Sequence, residues 1–267
     1  MPSYIHHIQW CVSDLDQILS TLVDGYGFSI LASRDGANKE VVVRGADITF
    51  LLSQRIDKDS HQVQCTTREE YPYLNCSCRF DSFHEVDSVF NICLEVDEVE
   101  NTFANMVNNG SKILHPPTTV RTTKTGSVQF AVVTSPCENV IHSLVNTSNY
   151  EGSFLPGFTF NGEVESNTDN FMMSNIDHLT FVVNQGETQA ILQWYQDCCG
   201  MKRFLMSDQE DPENGYVFDD VGMKLTAGDW ISEWLCVEKG VRSPDDINFK
   251  LVIAEPLPDR QDSHVNR

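Results

Sequence analysis

Basic residues are scarce in this sequence. Only 18 of its 267 residues are Lys or Arg, against 39 Asp or Glu, which gives a formal net charge of −21. A chain this acidic repels the phosphates of nucleic acids and the headgroups of anionic membranes. We therefore expect no nucleic acid and no anionic membrane surface among its partners.

Long apolar runs and targeting segments are also lacking. No stretch approaches the roughly 20 apolar residues that a membrane-spanning helix needs, so we expect no membrane insertion. No signal peptide is recognisable, and the first basic residue is Arg34, which is untypical of an Arg-rich transit peptide. These absences favour a cytoplasmic protein, with a mitochondrial location as the alternative.

The cysteines lack the pattern of a disulfide framework or a zinc finger. There are nine, an odd number; Cys198 and Cys199 are adjacent, and Cys76 and Cys78 form a CxC without a second pair. We predict reduced thiols in an intracellular protein. The composition, 40% hydrophobic and 21% charged, is typical of a globular protein with a real core.

The sequence does contain a repeated pattern. The segment IHHIQWCV at 5–12 resembles IDHLTFVV at 176–183, since each begins Ile-x-His and alternates toward a β-branched end. Each segment is followed by apolar residues at helical spacing and then by a glycine, Gly27 or Gly200. For the first helix, Ser13 is the expected N-cap and Gly25 the expected C-terminal glycine.

A similar unit lies between these two. Its predicted strand at 88–96 precedes a helical pattern that ends at Gly110, and three further strands are predicted between 113 and 145. Each unit is therefore a strand, a helix and about three strands, which predicts an α+β fold of tandem βαβββ modules. We predict an N-terminal domain of two modules at 1–149, a linker at 150–173 and a third module within 174–267. The apolar FLPGF core of the linker is expected to pack.

Five motifs carry a family resemblance. They are YEGSFLPGF at 150–158, IDHLT at 176–180, WYQDCCG at 194–200, EDP at 210–212 and VIAEPLP at 252–258. Together with the modules, they make the chain resemble the 4-hydroxyphenylpyruvate dioxygenase family of the vicinal oxygen chelate superfamily. The similarity covers essentially the whole chain.

The resemblance implies a metal site. Members of that family have four modules in two domains, with Fe(II) in the C-terminal domain bound by two histidines and a glutamate. This facial triad leaves positions for a 2-oxo acid and O₂. His178 matches the first ligand, and the other two lie beyond Arg267 in the family pattern. The resemblance therefore implies that the fourth module is absent and that the chain is truncated at its C-terminus.

The resemblance also implies a reaction. It is the oxidative decarboxylation and hydroxylation of 4-hydroxyphenylpyruvate or a related aromatic 2-oxo acid, a step of aromatic amino acid metabolism. Val252, Ala254 and Pro256 match positions that line the substrate cavity. Ala254 stands where the 4-hydroxyphenylpyruvate enzymes carry Asn, so a methyl group replaces a hydrogen-bonding amide. This departure favours the dioxygenase-like branch and leaves open a product such as 4-hydroxymandelate; a homodimer is also left open.

Two other hypotheses stay open. In the first hypothesis, the chain is a catalytically inactive truncated product or pseudoenzyme that acts only as a folded interaction module. In the second it is a glyoxalase-type protein with a site across the two N-terminal modules, for which His7 and His142 are the candidate ligands. Asn91 and Ser143 occupy the equivalent positions and are weak metal ligands, so the resemblance favours a metal-free N-terminal domain and a structural His7.

Two further histidines are given no metal role. His264 follows Pro256 by only eight residues in a polar tail, too early for the next strand, so we do not expect it to be a ligand. His6 is expected to point to the opposite face of its strand from His7, because side chains alternate along a β-strand.

Overall fold

The structure is a computed structural model, and it describes residues 2–34, 39–54, 87–137, 140–160, 176, 178–204, 211, 215–218, 223–229 and 250–257. The chain divides into two compact units, Met1–Asn175 and Ile176–Arg267. His264, residues 161–173 of the predicted linker, and Glu210 and Pro212 of the EDP motif lie outside the described residues. In the described part of the chain, no helix has both the length and the apolar character to cross a bilayer.

The described residues of the first unit form one sheet and two helices. Its strands are β1 (Pro2–Val12), β2 (Ser29–Arg34), β3 (Glu40–Gly45), β4 (Ile48–Gln54), β5 (Ser88–Val96), β6 (Ile113–Thr122), β7 (Gly126–Thr134), β8 (Ile141–Asn146) and β9 (Thr159–Phe160). Its helices are α1 (Leu15–Ser20), which continues as a π-helical turn over Thr21–Gly25, and α2 (Val99–Asn108). The sheet order is β6-β7-β8-β5-β1-β4-β3-β2-β9.

The two halves of this sheet have matching connections. In each half the first strand pairs with the last strand in parallel, β1 with β4 and β5 with β8, and β1 and β5 join the halves as antiparallel neighbours. Helix α1 packs near β4, and α2 packs on β6, β7 and β8. Large side chains from the strands and from both helices are fully buried, among them Ile8, Leu15, Leu52, Phe90 and Met106. Burying a side chain of that size contributes about 1.5–3 kcal/mol.

The start and end of α1 differ from the prediction. The N-cap is Asp14, whose carboxylate accepts a hydrogen bond from the Gln17 amide at 3.0 Å. Ser13 is engaged elsewhere, since its amide and hydroxyl both donate to the Asp87 carboxylate. Gly25 lies inside the π-helical turn, and Gly27 is the residue with a positive φ of 79°. The predictions for Ser13 and Gly25 were therefore wrong by one and two residues.

The second unit repeats the order of strand, helix and strands. Its elements are β10 (His178–Val182), α3 (Thr188–Cys199), β11 (Lys202–Phe204), β12 (Tyr216–Phe218), β13 (Met223–Asp229) and β14 (Lys250–Pro256). The sheet order is β10-β14-β13-β11, with β12 also paired to β13. Helix α3 buries Ile191, Trp194, Tyr195 and Cys198 at the predicted spacing and ends at Gly200, which has a φ of 69°. The α+β class is confirmed; the number of modules stays a prediction.

The FLPGF segment packs as predicted. Phe154 and Leu155 are buried in one hydrophobic cluster with Leu31, Val42 and other side chains of the first unit. The Glu151 amide donates to the Thr125 carbonyl at 2.8 Å, and β9 pairs with β2. Residues 150–160, the first part of the predicted linker, thus belong structurally to the first unit.

Candidate functional site

The structure places the predicted site residues of the second unit on one face of its sheet. Phe181 stacks on Tyr195 of α3 with ring centroids 6.2 Å apart, so the alternate residues His178 and Thr180 face away from the helix. Strand β14 pairs with β10 in parallel, with Thr180 opposite Val252 and Val182 opposite Ala254. His178, Val252, Ala254 and, by alternation, Pro256 therefore share this face. Their roles stay predictions.

The described residues of this face do not make up an iron site. A facial triad needs two histidines and a carboxylate. Around His178 the face presents Thr180, Val252 and Ala254, none of which is a ligand for Fe(II). Among the described residues, His178 belongs to no group of three metal-ligating side chains. His178 can be one ligand, but further ligands must come from outside the described residues.

The carboxylate of β14 has a different role. Glu255 is fully buried and points to the opposite side of the sheet, toward the start of α3. Its Oε2 accepts hydrogen bonds from the amides of Gly186 and Thr188, both at 3.2 Å, and from the Thr188 hydroxyl. A carboxylate at a helix N-terminus satisfies amides that lack helical partners and interacts favourably with the helix dipole. Glu255 is therefore a positioning residue for α3.

In the first unit, a row of buried or partly buried polar side chains crosses the sheet. Six neighbouring strands contribute one each, in the order Ser143, Asn91, Gln9, Ser53, Glu40 and Arg34. The Asn91 amide donates to Ser143 Oγ at 2.9 Å and to Gln9 Oε1 at 3.1 Å, and Gln9 Nε2 donates to Ser53 Oγ at 2.8 Å. Ser53 donates to Glu40 at 3.0 Å, and Glu40 forms an ion pair with Arg34. We call this set the polar ladder.

A small cavity lies beside the polar ladder. Its volume is about 20 Å³, which is enough for one water molecule. The polar lining residues are His7, Gln9, Asn91, Cys93 and Ser143, and Leu51, Val128, Phe130, Val145 and Leu155 complete the wall. A cavity with several hydrogen-bonding groups holds a polar occupant better than an apolar one.

The pair His7 and His142 does not form a site. His7 lies opposite Cys93, which lies opposite Ser143, whereas His142 lies opposite Ile92 on the other face of the sheet. His142 Nδ1 is 3.1 Å from the Ile92 carbonyl oxygen, and burial lowers the pKa of His142 to about 4. The hypothesis of a shared His7–His142 metal site was therefore wrong, because the alternation of the strands separates them.

His6 and His7 lie together, contrary to the prediction. The register of β1 against β5 shifts between Ile5 and His7, so that His6 is an extra residue at a β-bulge. The bulge cancels the usual alternation, and the two Nδ1 atoms are 2.8 Å apart. The Phe154 ring lies against both imidazoles, with centroid distances of 5.5 Å to His6 and 5.0 Å to His7.

Cys93 completes a cluster of three. One ligand atom each from His6, His7 and Cys93 lie within 4.8 Å of one another. Burial lowers the pKa of His6 to about 4, with a smaller contribution from Arg44, and lowers the pKa of His7 well below its usual value. Burial also raises the pKa of the Cys93 thiol, helped by Glu95. At neutral pH all three side chains are therefore uncharged.

Sequence patterns did not reveal this cluster. A bulge leaves no local signature in IHHIQWCV, and strict alternation sends His6 to the wrong face. One residue of the cluster could have been found from the sequence. Cys93 lies two residues after Asn91 on the same predicted strand, and hence on the same face. The partner strand that brings it to His7 is set by tertiary pairing.

Comparison with known proteins agrees with the fold. The family model of the Glyoxalase/Bleomycin resistance protein/Dioxygenase superfamily matches residues 4–142. A mutant of 4-hydroxymandelate synthase from Streptomyces coelicolor has a TM-score of 0.63 and 17% identity, covering 97% of this chain and 64% of that one. At this identity the structural similarity shows the fold alone.

Curated relatives are similar in sequence. The 4-hydroxyphenylpyruvate dioxygenase-like protein of Mus musculus is 29% identical over 234 residues, which are 87% of this chain and 56% of that protein. The 4-hydroxyphenylpyruvate dioxygenase of Aspergillus fumigatus is 27% identical over 219 residues, 76% of this chain and 52% of that enzyme. The chain thus spans little more than half the length of these relatives. From the family match and the paired strand–helix–strand halves, the chain belongs to the Glyoxalase/Bleomycin resistance protein/Dioxygenase superfamily.

Proposed function

We propose that this chain is part of an Fe(II)-dependent dioxygenase that acts on 4-hydroxyphenylpyruvate or a related aromatic 2-oxo acid. The observation that carries the proposal is the shared face of His178, Val252, Ala254 and Pro256 in the second unit. The sequence similarity to 4-hydroxyphenylpyruvate dioxygenases supports it. The reaction consumes O₂ and releases CO₂; one oxygen atom enters the new carboxylate and the other a hydroxyl group.

Each residue of the face has a distinct task in this proposal. His178 offers an imidazole nitrogen as one ligand of Fe(II), which suits a non-haem iron site. Val252, Ala254 and Pro256 form an apolar wall against the aromatic ring of the substrate. Because the Ala254 methyl group cannot hydrogen-bond, we expect weak discrimination between substrates that differ by a ring hydroxyl. Fe(II) at this face needs further ligands from outside the described residues.

The test is Fe(II) binding and O₂ uptake by the complete native protein. With 4-hydroxyphenylpyruvate we expect O₂ uptake that depends on Fe(II) and falls at least about 100-fold in His178→Ala, since loss of a metal ligand removes the site. His115→Ala is the matched control, because His115 lies on β6 of the other unit and should leave turnover unchanged. Equal turnover of His178→Ala and the parent protein would refute the role of His178.

A second candidate function is a non-catalytic interaction module. It is favoured by the absence, among the described residues, of any three-ligand group that includes His178. The exposed Val182 on the same face offers apolar surface to a partner. This alternative predicts that the native protein binds no stoichiometric Fe(II) and takes up no O₂. Either positive result would exclude it.

A further inference from the structure

We propose that His6, His7 and Cys93 form a binding site for Zn²⁺ in the first unit, separate from the iron site expected in the second. The site is defined by a β-bulge, by cross-strand pairing and by its border with the cavity. No part of it depends on the proposed dioxygenase function.

The first argument is geometric. The three ligand atoms lie within 4.8 Å of one another, and the two imidazole Nδ1 atoms are 2.8 Å apart. Tetrahedral Zn²⁺ with bonds of about 2.0 Å to nitrogen and 2.3 Å to sulfur requires ligand atoms roughly 3.3–3.6 Å apart. Small side-chain rotations would therefore bring the cluster to that spacing without moving the strands.

The second argument is the effect of the β-bulge on the direction of His6. It inserts His6 into β1 and directs its imidazole to the side of His7, where a regular strand would direct it away. Bulges commonly re-aim a side chain next to a functional site. His7 and Cys93 occupy opposed positions on β1 and β5, so the sheet fixes two ligands and the bulge supplies the third.

The third argument is the chemistry of the donor set. Two imidazoles and a thiolate suit Zn²⁺ and disfavour Mg²⁺ and Ca²⁺, which prefer oxygen ligands. Each imidazole is neutral and has one nitrogen lone pair, and the two Nδ1 atoms share a hydrogen bond at 2.8 Å. Zn²⁺ binding would replace that hydrogen bond and place the ring proton on the nitrogen that does not bind the metal. Zn²⁺ binding would release the Cys93 proton to solvent as the Zn–S bond forms. The positive charge of Arg44 acts on His6, and Glu95 acts on Cys93.

The fourth argument is the open position. Three protein ligands leave a fourth tetrahedral site, and both His7 and Cys93 line the cavity of about 20 Å³. That volume accommodates one water molecule, and Gln9, Asn91 and Ser143 lie along the same wall. Three protein ligands with one solvent position are typical of catalytic zinc sites, whereas structural sites use four protein ligands.

The experiment is Co²⁺ substitution of the chelator-treated 267-residue protein. Co²⁺ takes the place of Zn²⁺ and reports a thiolate ligand as a near-ultraviolet charge-transfer band. We expect one equivalent of Co²⁺, displaced by Zn²⁺, with a band that is present in the parent protein and in Cys11→Ser but absent in Cys93→Ser. Cys11 is the matched control, because it is a buried cysteine on the neighbouring strand β1.

A second variant keeps the test decisive if Cys93→Ser does not fold. His6 is only half-buried, so His6→Gln is expected to fold, retain the thiolate band and bind Co²⁺ at least tenfold more weakly. Absence of the band in the parent protein would overturn the proposal. Equal Co²⁺ affinity of His6→Gln and the parent protein, or a band lost in Cys11→Ser, would overturn it too.

Discussion

At the scale of single residues, one extra residue in β1 brings two imidazoles and a thiol together in the first unit. His6 is the extra residue of the β1 bulge, and without it only His7 and Cys93 of the three ligand-type side chains would lie together. Phe154 covers both imidazoles. Burial keeps the imidazoles neutral. The free energy of unfolding is therefore expected to fall when the pH is lowered into the range where histidines protonate.

Because several histidines of the first unit are buried, we expect acid to destabilise its fold, and His142 provides a test. Burial lowers the pKa of His142 to about 4, below the value near 6.5 in an unfolded chain. As the pH falls below 6.5 the unfolded state takes up the proton first, so the stabilisation present above pH 6.5 is lost toward pH 4. On lowering the pH, we expect the free energy of unfolding to fall less in His142→Gln than in the parent protein. The difference between the two proteins should be about 3 kcal/mol at most. Parallel curves from urea unfolding between pH 7 and 4.5 would contradict this.

Gly126 is predicted to be intolerant of any side chain. Its φ is 92°, and a Cβ atom there would lie 2.0 Å from the Asn149 carbonyl oxygen, which accepts the Ser127 amide. We expect Gly126→Ala to lower the free energy of unfolding by about 3 kcal/mol. Gly110→Ala is the matched control, because Gly110 has a φ of 98° and nothing within 4 Å of its added Cβ.

The control isolates the steric contribution. Gly110→Ala should cost only the roughly 1–2 kcal/mol of left-handed backbone for a residue with a Cβ. Both values come from urea unfolding at neutral pH. Equal losses in the two variants would show that the close approach of Asn149 is unimportant.

At the scale of elements, the polar ladder connects six neighbouring strands by side-chain hydrogen bonds and one ion pair. Its end at β3 and β2 is an ion pair in which the Glu40 side chain is 1% exposed and the Arg34 side chain 17% exposed. Removing one partner of such a pair leaves a poorly solvated charge. We therefore expect Glu40→Gln to cost about 2–3 kcal/mol of stability after allowing for the partial exposure of Arg34.

A surface ion pair provides the comparison. Lys39 and Asp16 lie 3.4 Å apart with side chains 50% and 87% exposed, so solvent screens their attraction. Asp16→Asn should cost less than about 0.5 kcal/mol. Thermal unfolding of both variants measures the difference. A cost for Glu40→Gln as small as that for Asp16→Asn would mean that Glu40 does not hold these strands together.

Helix α3 depends on a carboxylate from a distant strand. Glu255 on β14 accepts hydrogen bonds from Gly186 and Thr188 at the start of α3. Hydrogen bonds to a charged group contribute about 1.5–3 kcal/mol, so Glu255→Gln should destabilise the second unit by about 2 kcal/mol. Amide hydrogen exchange along α3 is the measurement. Asp197→Asn, at an exposed position of the same helix, should change protection little, and similar exchange in both variants would be inconsistent with the cap.

The helices and strands were largely predictable from the sequence, whereas the contacts between elements distant in the sequence were not. Apolar spacing in WYQDCC predicted α3, and the glycine after it predicted its end, because both depend on local geometry. The cap of α3 was not predictable, since Glu255 lies 67 residues from Thr188. His6 was misplaced for the same reason: the bulge depends on how β1 pairs with β5.

At the scale of the whole molecule, the repeated order of strand, helix and strands explains the fold of each unit and the strands on which the two proposed sites lie. In each described repeat the first strand pairs with the last in parallel, as β1 with β4, β5 with β8 and β10 with β14. His7 and His178 occupy corresponding first strands, as the sequence repeat predicted. The role of His178 as an iron ligand comes from the family resemblance and stays a prediction. Its partner ligands could not be placed, because no described residue of that face supplies them.

The measurement that tests the central claim most directly is O₂ uptake by the complete native protein with Fe(II) and 4-hydroxyphenylpyruvate, together with its intact mass. We predict Fe(II)-dependent uptake with release of CO₂, lost in His178→Ala and kept in His115→Ala. The intact mass shows whether the protein assayed has residues besides these 267 that could supply further iron ligands to the second unit. A native protein of 267 residues that takes up no O₂ would contradict the dioxygenase proposal and leave the interaction module.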